Sequence, residues 1–406
     1  MPQNWKTYKI KDLCEKVSVG YVGPTAEYFT DASIGIPFLR SKNIRPGKID
    51  LNDLAFVTKE FHAKNKKSQL QKGDIVIVRV GQNRGDVCKI SSEFEEVNVA
   101  NCVFLRPPQE YSDYLEAHLR SPQGQRLLLS VSSGSAQLVL NTTAIAELEV
   151  QLPGEAEAQE IAKIINSLDD KIELNLQMNK TLEEMAMTLY KHWFVDFGPF
   201  QNGKFVESEL GMIPEGWEVK GLADISENHS KKRKPISTRE RAKIPGKYPY
   251  YGATKILDHI DDYKFDGDYI LVAEDGTVMT KNENPFLQYV HGQFWVSNHA
   301  HVLSGTDVYT NDFLYLALSN IYVIPYVTGA VQLKINRKNL ERMSFVVGPE
   351  NVMNDFCQQV SSLYRQLEIN NLEIDTLTKT RDTLLPKLIS GEVRVKQADQ
   401  ELKNVL

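Results

Sequence analysis

The sequence predicts an α/β (α+β) protein: two mixed globules separated by two long antiparallel coiled-coil helices, in a pseudo-two-fold repeat. Three observations predict it. Residues 155–195 contain no Gly or Pro and carry a ladder in alternating steps of four and three: Ile161, Ile165, Leu168, Ile172, Asn175, Asn179, Leu182, Ala186, Leu189, Trp193. All rungs but the two Asn are apolar, the spacing of a coiled-coil seam and narrower than an ordinary surface stripe. The ladder returns later as Phe356, Val360, Leu363, Leu367, Asn370, Ile374, Leu377, Arg381, Leu384, Leu388, with Asn175 and Asn370 on the same rung. A buried Asn in a seam costs stability and fixes register and partner. Third, the segments preceding the two helices echo each other.

In chain order, residues 1–153 read as a first mixed globule. WKTYKIKDLCE opens it with a helical end, and IPFLR (36–40) is a strand followed by a polar basic loop. KGDIVIVRVG (72–81) is short, β-branched and bounded by Gly, which predicts a buried strand. NVANCVFLRP (98–107) predicts another, YLEAHL and QRLLLSV predict helix, and LEVQLP (148–153) closes the globule. Residues 154–198 form the first long helix, stopped at Gly198-Pro199, and 199–216 form a linker with turns. Residues 217–348 restart the pattern: GWEVKGLADISE matches NWKTYKIKDLCE, and DGDYILVAEDG matches KGDIVIVRVGQ. VSNHAHVL then matches VANCVFL, and TGAVQLKIN matches SGSAQLVLN. The second long helix takes 349–392, with a tail at 393–406. Pro386 is expected to end or kink it near Leu385, which leaves Leu388 outside the seam. Each helix of ~33 residues is about 50 Å long. An antiparallel pair would hold the two globules about that far apart.

Composition excludes several classes. With 42% hydrophobic and 25% charged residues the chain is not disordered. It has no apolar run long enough for a membrane span, and MPQNWKTYKI lacks a signal-peptide core. Cys14, Cys88, Cys102 and Cys357 are scattered without a CxxC pair, as suits reduced thiols in a cytoplasm. The net charge of -6 resides in residues 155–195 and 350–390, so the remainder balances and is free to present basic faces.

Two related heads on a rigid spacer suit a ligand with two related sites at fixed separation. Duplex DNA fits, because half-sites one turn apart lie ~34–36 Å from each other. The loops carry suitable chemistry. Arg40, Lys42, Asn43 and Arg45 form one cluster; Asn83 and Arg84 form another. In the second head Tyr250, Tyr251, Thr254 and Lys255 take the corresponding place, with Asn298 and His299 later. Gln137 and Gln332 recur in matching Gly-containing loops, and Lys334 follows the second. Arg suits guanine O6/N7, Asn or Gln suits adenine N6/N7, and Lys231, Lys232 and Arg233 suit phosphate. Each has a plainer reading: solvated loops for the basic clusters, turn fastening for the two Gln, core for Tyr250 and Tyr251.

The GxxxxGK[ST], GxSxG and HExxH motifs are absent, and Pro107-Pro108 lacks the flanks of an amino-methyltransferase site. His299-x-His301 has no evident third ligand, so no metal site is expected.

The duplicated layout, together with LYKHWFVDFGPF (189–200), LGMIPEGWEV (210–219), SGSAQL, TGAVQL and TLLPKLISGEV (383–393), resembles the specificity subunit of type I restriction–modification systems. The resemblance implies two target recognition domains, one for each half of a bipartite, asymmetric double-stranded DNA site. It implies that the helices set the spacer and dock two methyltransferase (modification) subunits, joined by restriction/translocase subunits. Catalysis, with S-adenosylmethionine, ATP and Mg, would then belong to those partners and not to this chain. The helix–helix seam is expected at Ile165, Leu168, Ile172, Asn175, Leu182, Leu189, Val360, Leu363, Leu367, Asn370, Leu377 and Leu384. A coiled-coil scaffold that binds proteins, and a nuclease or methyltransferase with a divergent site, are the competing readings.

Overall fold

A computed structural model describes residues 5–133, 138–329 and 331–402. The contacts divide the chain into two compact units. One comprises the chain up to Leu176 with the chain from Leu372 onward; the other is Gln177–Asn371. Each unit therefore contains one head and part of each long helix.

In the first unit, a four-stranded antiparallel sheet runs in the order Lys16–Val19, Cys102–Arg106, Ile75–Val78, Val87–Lys89. The β-branched run at Ile75–Val78 is central and buried on both faces, which is why it reads as a continuous apolar stretch. A second sheet places Ile36–Leu39 between Ala55–Val57 and Asn98–Val99, the latter pair parallel. Lys6–Lys9 pairs antiparallel with Glu149–Leu152 and closes the head.

The second unit repeats this plan. Its four-stranded antiparallel sheet is Ser226–Asn228, Ala300–Gly305, Tyr269–Ala273, Leu287–Val290. Its second sheet contains Pro245–Tyr251 parallel to Gln293–Val296, and Glu218–Gly221 pairs with Ser344–Val347. The matched Gly-Asp dipeptides precede equivalent central strands. Gly73 (φ 89°) and Gly267 (φ 120°) both adopt the left-handed region that glycine enters without strain.

The long helices are Glu155–Phe194, 40 residues, and Glu350–Ser390, 41 residues. The first has Glu155 and Glu157 in its first turn and Lys191 and His192 in its last, the arrangement its dipole favours. Within the first unit the helix segments run antiparallel, since Asp169 meets Arg381 and Asn175 meets Glu373. Within the second, Asn179 meets both Asn370 and Asn371, and Trp193 meets Phe356.

The cores are continuous from head into helix. Ile161, Ile165, Leu168, Leu377, Leu384 and Leu388 share a cluster with Tyr114 and Leu152 of the first head. Ala186, Tyr190, Phe194, Phe356 and Val360 share one with Phe313, Ile270 and Val347 of the second. Each fully buried aliphatic or aromatic side chain there contributes about 1.5–3 kcal/mol. That continuity joins each helix segment to its head within one compact unit.

One expectation is corrected. Pro386 lies inside the second helix, which continues to Ser390, and Leu388 is fully buried. A mid-helix proline costs about 3 kcal/mol; burying Leu388 and Ile389 beyond it offsets a loss of that size. The linker, expected to contain turns, does so around an antiparallel hairpin, Phe205–Ser208 with Gly211–Pro214. Val395–Leu402 adds a short final helix. No described helix is long and apolar enough to cross a membrane.

Candidate nucleic-acid interface

In the first head, the loop after Ile36–Leu39 presents Lys42, which pairs with Asp53, and Arg40, whose Nη2 donates to the Asp53 carbonyl at 2.6 Å. Arg45 lies in a small hairpin, with Nη1 donating to the Ile44 carbonyl at 3.0 Å. Asn43 is a correction: it is fully buried, accepting from the Arg40 N–H at 3.1 Å and donating to the Asp50 carbonyl at 2.9 Å. Its amide closes the loop, and a buried amide must be so satisfied. It is a fastening and does not face a ligand. Asn83 and Arg84 sit in the next loop, half-buried, with Arg84 Nη1 3.3 Å from the Leu138 carbonyl. Gln137 lies outside the described residues.

In the second head, Lys231 and Lys232 are exposed on a tight turn, Ser230–Lys232. Arg233 is corrected: its Nη1 donates to Glu274 at 2.8 Å and to the Ala300 carbonyl at 2.7 Å, so the guanidinium is spent inside the head. Tyr250 is corrected too. It is 1% exposed, packed with Ile260 and Trp295, and its hydroxyl accepts from the Ile236 N–H at 3.1 Å. Tyr251 is half-buried, edge-on to Phe294 at 5.7 Å. The two tyrosines pack into different clusters, Tyr250 with Ile260 and Trp295 and Tyr251 against Phe294, on a strand hydrogen-bonded along both edges. Thr254 and Lys255 occupy the turn that follows, closed by the Gly252 N–H to Lys255 carbonyl bond at 2.8 Å, with Lys255 exposed.

Two of the remaining candidates, His299 and Lys334, converge on Asp275 and Glu274. Asn298 and His299 are exposed in the turn before Ala300–Gly305. His299 Nδ1 lies 2.8 Å from Asp275 Oδ1. Lys334 Nζ lies 3.3 Å from Glu274 Oε1, and Gln332 is exposed at the tip of the loop bridged by Thr328 and Lys334. That loop depends on Gly329, where φ is +92° and an added Cβ would fall 2.1 Å from the Gln332 carbonyl. Burial pushes the Glu274 carboxyl up, but hydrogen bonds from Arg233 and Lys334 and the charges of His301 and Arg233 hold it below the usual range. The residues that organise this face, Glu274 and Asp275, were missed. Their only signal was that VAEDG stands where the first head has VRVGQ. Also missed was a cleft lined by Gly20, Tyr21, Lys64, Lys66 and Lys67.

Among the described residues no group of three or more His, Cys, Asp or Glu side chains is placed to hold a metal. His301 is buried, with Nε2 2.8 Å from the Ile335 carbonyl.

The seam residues are buried or half-buried. Ile165, Leu168, Asn175, Val360, Leu367, Asn370, Leu377 and Leu384 are buried, while Ile172, Leu182, Leu189 and Leu363 are half-buried. The two matched Asn take different partners. Asn175 donates to Glu373 at 2.8 Å in the first unit, and Asn370 donates to Asn179 at 2.8 Å in the second.

A family model described as type I restriction modification DNA specificity domain matches residues 2–184 and 214–378. The type I restriction enzyme MjaIX specificity subunit of Methanocaldococcus jannaschii is 29% identical over 304 residues, 70% of either chain. The HindI specificity subunit of Haemophilus influenzae is 21% identical across 96% of this chain and 100% of its own. The crystal structure of the type I restriction–modification S subunit from M. genitalium shares the fold, with a TM-score of 0.60 at 17% identity over 95% of this chain and 96% of that one. With the family's domain matched in both units, and the same strand order in each, the chain belongs to the type I restriction–modification DNA specificity family.

Proposed function

We propose that this chain gives a type I restriction–modification complex its address, each head reading one half of a two-part, asymmetric DNA site. One observation carries the reading: the heads share a strand order but differ in the loops that leave it. Arg40, Lys42 and Arg45 stand in one, and Thr254, Lys255, Asn298, His299, Gln332 and Lys334 in the other. A shared scaffold with unlike loops suits two related but different base sequences. Two continuous helices that each enter both units suit a fixed spacer between the half-sites.

Two methyltransferase subunits dock on the helices in this reading, and restriction/translocase subunits join them in the cytoplasm. Methyl transfer from S-adenosylmethionine, and ATP- and Mg-dependent steps, reside on those partners. The test exchanges residues 1–153 for another head of the family and maps modified adenines by sequencing DNA from cells that also carry the modification subunits. One half of a two-part motif should change and the other persist. A single unbroken motif, or a swap that alters both halves, rejects the reading.

A further inference from the structure

We infer that the two heads read bases through one structurally equivalent site of opposite hydrogen-bonding character: Arg79 with Asn101 in the first head, which donates, and His299 held by Asp275 beside Glu274 in the second, which accepts. The inference rests on the specificity reading above and deepens it by assigning base-contacting residues.

The equivalence follows from the backbone. Arg79 comes directly after the central strand Ile75–Val78, and its carbonyl accepts from the Leu140 N–H at 3.0 Å. Glu274 comes directly after the central strand Tyr269–Ala273, and its carbonyl accepts from the Ile335 N–H at 2.9 Å. Leu140 and Ile335 each precede an asparagine, Asn141 or Asn336, whose side chain caps a short helix. The turn between the two sheets then arrives at the same place in both heads. In the first it delivers Asn101, at φ 45°, whose Oδ1 lies 3.4 Å from Arg79 Nη1. In the second it delivers Asn298 and His299, with the Glu274 N–H donating to the His299 carbonyl at 2.8 Å.

The side chains at this shared position differ in kind. Arg79 presents a guanidinium fork, whose matched partner on a base edge is the O6/N7 pair of guanine. Glu274 presents none of its charge outward: Arg233 and Lys334 hold it at 2.8 and 3.3 Å. Next to it, Asp275 sets both carboxylate oxygens 2.8 and 3.0 Å from His299 Nδ1. A carboxylate only accepts, so Nδ1 carries the proton, and in the neutral ring Nε2 is left as an acceptor. An acceptor there suits the exocyclic amino group of adenine or cytosine and disfavours guanine O6. With the His299 ring neutral, the first head is thus built to select a guanine where the second selects an amino-bearing base.

The test uses the full chain in complex with its modification subunits and reads the modified motif by sequencing host DNA. His299→Ala should relax one position in one half of the motif. Arg79→Gln should relax a guanine position, or shift it toward adenine, in the other half. Discrimination at each position should fall about 10- to 100-fold. In each variant the unaffected half reports that the complex has folded and assembled. If Arg79→Gln abolishes modification altogether, Asn101→Gly, which suits the positive φ, carries the same expectation for that half. Unchanged motifs, or both variants altering the same half, overturn the inference. A wild-type complex that modifies no two-part motif overturns the specificity reading as well, so the two failures are told apart.

Discussion

The two units dock head to helix by different chemistry. In the first, Arg120 at the end of the helix Gln109–Arg120 pairs with Glu116 at 2.9 Å and with Asp169 of the first long helix at 2.7 Å. Asp169 also takes Arg381 of the second long helix at 2.8 Å. In the second unit the matching helix, Asn311–Ser319, carries Tyr315 and Ser319, and Tyr364 stands one repeat on from Asp169. Tyr289 packs at 5.5 Å from Tyr315 and 5.6 Å from Tyr364. Asp312 accepts from the Tyr289 hydroxyl and from Ser361, both at 2.8 Å. A buried ion network holds only while every member is present, whereas an aromatic cluster loses stability in proportion to the area removed. The same joint therefore tolerates substitution differently in its two copies.

The comparison can be broken most directly at Arg120. At pH 8, Arg120→Ala should cost the first unit about 3–5 kcal/mol by stranding Glu116. Pairing Arg120→Met with Glu116→Leu should restore most of that, since Asp169 keeps Arg381. Hydrogen exchange over residues 109–120 measures it; equal protection in the single and double variants would contradict the network account. In the second unit Tyr364→Ala should cost about 2 kcal/mol with no charged rescue, read from exchange over 311–319.

A pH series sharpens the contrast. Burial pushes the Glu116 carboxyl up to about 7 against the pull of Arg120, and burial lowers His118 to about 4. Between about 4.5 and 7 the folded unit keeps a proton on Glu116 that the unfolded chain has released, so that group lowers stability as pH rises. Between about 4 and 6.5 the unfolded chain holds a proton that folded His118 lacks, so His118 raises stability with pH. The two oppose each other. Glu116→Gln should leave His118 alone, giving a rise of up to about 1.4 kcal/mol per pH unit in that window. A flat thermal-stability profile in the variant would contradict this. The smallest effect is expected from Ser361→Ala, about 1 kcal/mol for one lost hydrogen bond to Asp312, since Tyr289 still donates there.

Much of the architecture is legible in the sequence. The seam from Ile161 to Leu189, the Gly-Asp dipeptides and the paired Trp5 and Trp217 are local patterns, and each appears twice. The interface was legible only in part. His299 and Lys334 meet through the neighbouring Asp275 and Glu274, but Asn43 and Tyr250 are buried and Arg233 is consumed by Glu274. Arg79 and Glu274 gained their meaning from bonds to Leu140 and Ile335, some sixty residues further along the chain.

By itself the sequence determined periods and repeats: where the two long helices run, which face of each is apolar, and that the plan is duplicated. Those are set by spacing along the chain, which 3.6-residue turns and alternating strands turn directly into faces. Only the tertiary structure decided which polar side chains are spent within the fold. Burial and hydrogen-bond partners depend on strands distant in sequence, as with Arg233 and Glu274, and the continuation of the helix past Pro386 depends on the pocket that buries Leu388.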